Sequence, residues 1–168
     1  MAADYMPFKE TFDDFKNTPR YRPHLQHQWQ FERDQDPSIV PGFPQRQIIK
    51  KYAGANFRCG YKDCGHEWFS KAHSTILFQY DPISHRIKWR KFGQKCRQCH
   101  RSEYHQAHYG DEQIERTIDY LLKKLILKVY NINLTVDPPQ LNYNNNRGDD
   151  LACYCEACMS GNYCRKQD

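Results

Sequence analysis

Apolar residues recur at three- and four-residue steps from Ile114 through Ile118, Leu121, Leu122, Leu125 and Ile126 to Val129. That is the period of one helix face, so the pattern predicts an amphipathic helix over 111–130. Acidic residues gather in its first turn and lysines in its last, as the helix dipole favours, and Asp111 is placed to cap its start. Near the N-terminus Phe8, Phe12 and Phe15 repeat in the same way and predict a short helix over Pro7–Asn17 with an inward aromatic stripe.

Elsewhere the period falls to two. Ser74–Tyr80 places Ile76, Phe78 and Tyr80 on one face, and Arg86–Phe92 does the same with Ile87 and Trp89. Asp81-Pro82-Ile83-Ser84 between them reads as a turn, which makes the pair a β-hairpin. Phe57 to Trp68 reads as a strand entering a tight turn, and Leu134–Val136 as a last short strand. Prolines at 19, 23, 37, 41 and 44 forbid a long helix over 18–48, which reads as an extended arm. Tyr21, Trp29, Phe31, Ile39, Val40 and Phe43 are too many large apolar groups for a solvated tail, so the arm is expected to lie against the domain. Asn142–Asp150 is polar and reads as a loop.

Cysteine changes the picture most. All eight cysteines fall in three clusters: Cys59 and Cys64; Cys96 and Cys99; and Cys153, Cys155 and Cys158 followed by Cys164. Thiolates two to four residues apart reach one metal ion from a tight turn, and four of them complete a tetrahedral zinc site with no open position. Two zinc ions would use all eight sulfurs. The hairpin between the first two clusters favours Cys59, Cys64, Cys96 and Cys99 on one ion and Cys153, Cys155, Cys158 and Cys164 on the other. An interleaved arrangement, with the third cluster completing the first, is the alternative. No apolar leader suggests an oxidising compartment, so zinc is preferred to disulfides and the chain reads as cytoplasmic. No stretch approaches the 18 apolar residues of a membrane span.

Hydrophobic residues make up 39% of the chain and aromatics 14%, which suggests a modest, ring-rich core that a metal would help to hold. His66, His73, His100, His105 and His108 lie near the clusters; surface or packing roles are the ordinary reading for each, because cysteine already fills both tetrahedra, and His73 is the best substitute should Cys153 not bind. The chain lacks a glycine-rich phosphate loop, a nucleophile elbow and a deaminase signature, which argues against an enzyme. Arg86, Lys88, Arg90, Lys91, Lys95, Arg97 and Arg101 cluster around Trp89 in a chain of net charge +5. Cations beside rings are what single-stranded nucleic acid binding uses, so these eight residues form a candidate RNA surface.

Several stretches together resemble the receptor-transporting protein family with its 3CxxC-type zinc finger. They are Glu10-Thr11-Phe12, Phe57-Arg58-Cys59 with Cys64 and Trp68, Phe92-Gly93-Gln94-Lys95-Cys96-Arg97-Gln98-Cys99, the helix Ile114–Tyr130, and Cys155-Glu156-Ala157-Cys158 with Cys164. The first pair departs from the family, with Cys-x4-Cys in place of Cys-x2-Cys. The resemblance implies a non-enzymatic adaptor or chaperone that assists odorant- and taste-type seven-helix receptors, or other membrane proteins, to the cell surface. It also implies an alternative, a zinc-dependent RNA-binding protein of innate antiviral defence. The expected fold is a zinc-stapled α+β domain with zinc-ribbon-like hairpin knuckles, one long helix and a packed N-terminal arm. Residues 1–48 would form the helix and arm, and 49–168 the zinc-binding domain, placed at the cytoplasmic face of membranes. The adaptor surface expected on it combines the basic hairpin, rings such as Tyr104 and Tyr109, and the Asn142–Asp150 loop.

Overall fold

The computed structural model describes residues 5–32, 35–39, 47–134 and 154–160. Helix α1 (Tyr5–Lys16) and a 3-10 turn (Arg22–His24) lead into strand β1 (Gln30–Phe31). Then come β2 (Ile48–Arg58), β3 (Glu67–Asp81), β4 (Arg86–Lys91), β5 (Gln94–Lys95), β6 (Tyr104–His105), α2 (Asp111–Tyr130) and the short α3 (Glu156–Met159). The main sheet has the order β1-β4-β3-β2, and β5 pairs with β6 in a second, two-stranded sheet. β1 runs parallel to β4, and the other two pairs are antiparallel.

The period-two pattern decides which residues face the helices. Ile76, Phe78 and Tyr80 of β3, with Ile49, Ile87 and Trp89 beside them, join Phe8 and Phe12 of α1 and Ile114, Ile118, Leu121, Leu122, Leu125 and Ile126 of α2 in one buried core. The arm closes this core with Tyr21, Trp29 and Phe31. Leu77 lies out of phase with those neighbours and belongs to a second cluster with Phe92, Ile39 from the arm, and Cys155 and Ala157 from the third cysteine cluster. A third, smaller cluster of Ala55, Phe57 and Ala107, with Trp68 and Tyr109 against it, lies toward the metal end. The fold is therefore α+β, as expected, with the arm packed.

Several local expectations change. β2 is far longer than the segment at Phe57, and β3 begins at Glu67, ahead of Ser74. A register shift between Ala53 and Ala55 resets the alternation midway along both strands. The ring of Phe69 and the Lys71 carbonyl close over Gly54 at this shift; a Cβ there would lie 2.9 and 2.8 Å from them. α2 takes its N-cap from Gly110, so Asp111 adds charge to the first turn and makes no capping bond. Asn131 ends α2 in the left-handed conformation. Leu134 lies in no strand; residues 135–136 and the Asn142–Asp150 loop lie outside the described residues. The core is larger than the composition suggests, because the arm contributes buried rings to it.

Candidate metal centre

β2 and β3 continue past the main core, and the turn between them carries Cys59 and Cys64. The Cys59 N–H donates to the His66 carbonyl (2.8 Å), and the N–H groups of Cys64 and Gly65 both donate to the Tyr61 carbonyl (3.0 Å each). Gly65 has φ +57°, a conformation that L side chains rarely adopt, and this bends the chain from the turn into β3. β5 delivers Cys96 and Cys99 opposite. The four sulfurs lie within 4.8 Å of one another. Cys59 Sγ is 3.7 Å from Cys99 Sγ, and Cys64 Sγ is 3.7 Å from Cys96 Sγ. A tetrahedron with zinc–sulfur bonds of about 2.3 Å has edges of about 3.8 Å. Two of the edges thus match those of a zinc tetrahedron, and the other sulfurs stand close enough to complete it.

Without a metal these thiols hold their protons unequally. Burial and the neighbouring thiols push the Cys59 thiol up to about 12, against a donated N–H from Tyr61. At Cys64 the His66 N–H opposes the rise, but burial and the thiols of Cys96 and Cys99 prevail, and its value is raised. At Cys96 burial opposes ionisation, yet the N–H groups of Cys99 and Gln98 with the Cys64 and Cys99 thiols outweigh it, and its value is lowered. A divalent ion resolves the crowding by taking all four as thiolates.

The lengthened first loop is tied to the second. Arg101 forks onto Asp63 (3.1 and 2.6 Å) and lies 4.2 Å from the Tyr61 ring. The Gly60 N–H donates to His105 Nδ1 from β6 (3.3 Å). Trp68 donates to Gln94 Oε1 (2.9 Å), whose amide in turn donates to Ser70 (3.1 Å). The sequence signals the cysteines but not these supports, since their partners come together only through the fold.

The third cluster is clamped near the first site. Gln94 forms a bridge with Cys155, the Glu156 N–H donates to the Gly93 carbonyl (3.1 Å), and Glu156 Oε2 accepts from the Gly93 N–H (2.6 Å). Glu156 Oε1 accepts from Arg90 (2.5 Å). Cys155 and Cys158 share one turn, the Cys158 N–H donating to Cys155 Sγ (3.4 Å). Cys153 and Cys164 lie outside the described residues, as does the His73 side chain. His66 stacks on Trp68, His100 meets the Tyr154 hydroxyl (2.9 Å), and His108 pairs its backbone with Asn56; none of these, nor His105, joins the four-sulfur group.

The expected nucleic-acid residues are spread out. Trp89 is only 1% exposed and packs on Phe8 and Phe31, so its ring has no face open for a base. Lys91 is buried and donates to the Ala107 carbonyl (2.7 Å). Arg86, Lys88 and Arg90 meet Glu32, Asp36 and Glu156. Lys95 lies over the Tyr104 ring and Arg97 over that of Tyr154, while Arg101 serves the metal loop. Tyr109 is not the exposed ring expected: it is partly buried, meets Phe8 edge-on and bonds Ser74.

Paired cysteine turns fed by a β-hairpin and closing four thiolates define a zinc ribbon. The chain belongs to the 3CxxC zinc-ribbon family, described as a zinc-binding domain, which matches residues 52–161. It is similar to receptor-transporting protein 2 of Mus musculus, at 27% identity over 133 residues covering 75% of this chain and 58% of that protein. It is similar also to receptor-transporting protein 4 of Homo sapiens, at 24% identity over 170 aligned positions covering 96% of this chain and 65% of that protein. The chain thus spans less than two thirds of the length of either relative. No solved structure matches it. Among the described residues, no helix is long and apolar enough to cross a membrane.

Proposed function

We propose that this protein is a non-enzymatic zinc-dependent adaptor that assists membrane receptors of the seven-helix type on their way to the cell surface, working at the cytoplasmic face of membranes. The observation that carries the reading is the closed four-sulfur site in a domain whose relatives are named for receptor transport. Such a site builds and fixes a surface. We further propose two zinc ions per chain, the second on Cys153, Cys155, Cys158 and Cys164; the clamp that Arg90, Gly93 and Glu156 place around that turn supports this assignment.

The test is co-expression with a receptor normally retained inside the cell, using this chain with and without an added C-terminal membrane anchor. Receptor surface labelling rises with the anchored form and rises less, or not at all, with the other. Unchanged labelling with both forms refutes the adaptor reading. Native mass spectrometry counts the zinc, and a mass for one ion removes the second site.

A further inference from the structure

Strand β4 alternates between two environments. Ile87 and Trp89 enter the core, while Arg86, Lys88 and Arg90 point the other way and each meets oxygen from the arm. Arg86 pairs with Glu32 (3.5 Å) and Lys88 with Asp36 (3.0 Å). Arg90 donates to the carbonyls of Pro37 (2.9 Å) and Ile39 (3.3 Å). The Asp36 carboxyl is held at about 2 by bonds from Ser38 and then Lys88, so it is an anion wherever the protein works.

The arm does not follow β4 as a regular strand throughout. Ladder pairing ends at Phe31 opposite Ile87. Beyond it the Glu32 N–H donates to the Ile87 carbonyl (2.8 Å) and the Asp36 N–H to the Trp89 carbonyl (3.0 Å). The Lys91 N–H is met by a side chain, Gln35 Oε1 (2.8 Å), where a strand would offer backbone. An edge served this way is a template for a better-fitting strand.

We propose that the outer edge of β4 is an exchange site, where an extended acidic segment of a client protein adds beside β4 and its carboxylates replace Glu32 and Asp36 on Arg86 and Lys88. The inference deepens the adaptor reading and rests on it for the client. Side chains of a strand recur on one side every second residue, so the client carries acids at alternate positions, in register with Lys88 and Arg90 beyond the end of β1, its leading acid reaching back to Arg86. Exchange trades like for like: the half-exposed pairs at Arg86 and Lys88 are each weak, and the client's backbone takes up the β4 groups that the arm releases. Trp29 and Phe31 ahead of the segment and Ile39 behind it stay buried, so the arm remains tethered at both ends while the residues between give way. Nucleic acid fits less well: phosphates cannot complete a strand's hydrogen bonds, and Trp89, the ring that would stack, lies inside the core.

The test is fluorescence anisotropy with a short labelled peptide carrying Glu at alternate positions. The comparisons are a peptide of equal composition with its acids in one block, and a single-stranded RNA oligonucleotide. The alternating peptide binds best, and Glu32→Gln/Asp36→Asn tightens it by roughly tenfold, the worth of two surface pairs. Arg86→Glu/Lys88→Glu, with zinc content intact, abolishes binding. Hydrogen exchange at 35–39 accelerates in the Gln/Asn variant and on adding peptide. Equal binding of the two peptides, no gain from the Gln/Asn variant, or binding of RNA alone overturns the proposal. These readouts use purified protein, so their failure is distinguishable from failure of the receptor-labelling experiment.

Discussion

At the scale of single residues the metal loops make the sharpest demands. Cys59→Ser or Cys96→Ser leaves three sulfurs where four complete the tetrahedron, so native mass spectrometry should show one zinc fewer than in the parent. Proton linkage adds a signature. The metal-free Cys59 thiol titrates near 12 and the ordinary thiol at 9.0, so the unfolded chain loses this proton first as pH rises. The contribution of this thiol to the metal-free fold is complete below 9.0 and is lost toward 12. Denaturant melts of metal-free protein should weaken over that range, while the zinc-loaded protein, whose sulfurs are already thiolates, should not. Gly93 is the second sensitive residue. A Cβ there would stand 2.7 Å from the His105 carbonyl and 3.0 Å from Tyr104 Cβ, with Glu156 Oε2 at 3.3 Å. Two of these neighbours belong to β6, which cannot swing aside. Gly93→Ala should therefore cost about 1–3 kcal/mol in a thermal melt and speed zinc loss to a chromogenic chelator.

At the scale of elements, the metal end and the aromatic core are distinct clusters joined by β2, β3 and the ring of Tyr109. Chelation should first erase hydrogen-exchange protection at Cys59, Cys64, Gly65 and across β5–β6, because the zinc sulfurs hold those turns. Amides of Ile118–Ile126 in α2 should stay protected, since that stripe touches no sulfur. Simultaneous loss at both ends would refute the separation.

The elements also show what could be read from the sequence. α1 and α2 were legible because their apolar residues repeat at helical steps, and the β3–β4 hairpin because Ile76, Phe78 and Tyr80 alternate on one face opposite Ile87 and Trp89. β2 was not. Its buried run Ala53-Gly54-Ala55 has no period of two, and the register shift there hides the phase of both strands. The four sulfurs were legible as the first of two arrangements, from the cysteine spacing and the hairpin that joins the two pairs. The charge partners of β4 were not, since Glu32 and Arg86 are brought together only by β1 joining the sheet, and a run of cations then looks like a free polyanion site.

At the scale of the whole molecule, the arm is part of the domain's interior. Phe8 and Phe12 from α1, with Tyr21, Trp29 and Phe31 from the arm, are all buried in the core shared by the sheet and α2. Asp119 of α2 binds Tyr21 and Arg20, and Tyr130 at its end accepts from Trp29 (2.8 Å). Full burial of a large side chain contributes about 1.5–3 kcal/mol, and a domain's net stability is about 5–15 kcal/mol. Removing five such rings forfeits about 7.5–15 kcal/mol, as much as that margin, and uncovers part of the helix-facing side of the sheet. A fragment of residues 49–168, purified with zinc, should therefore lack a cooperative thermal transition even though it keeps every cysteine. Its near-ultraviolet circular dichroism should be weak, and it should bind a dye for exposed apolar surface. Adding a peptide of residues 1–48 should restore the transition, because the missing strand and rings re-enter from outside. A fragment that melts cooperatively within a few degrees of the full chain would show instead that the metal and α2 hold the sheet by themselves.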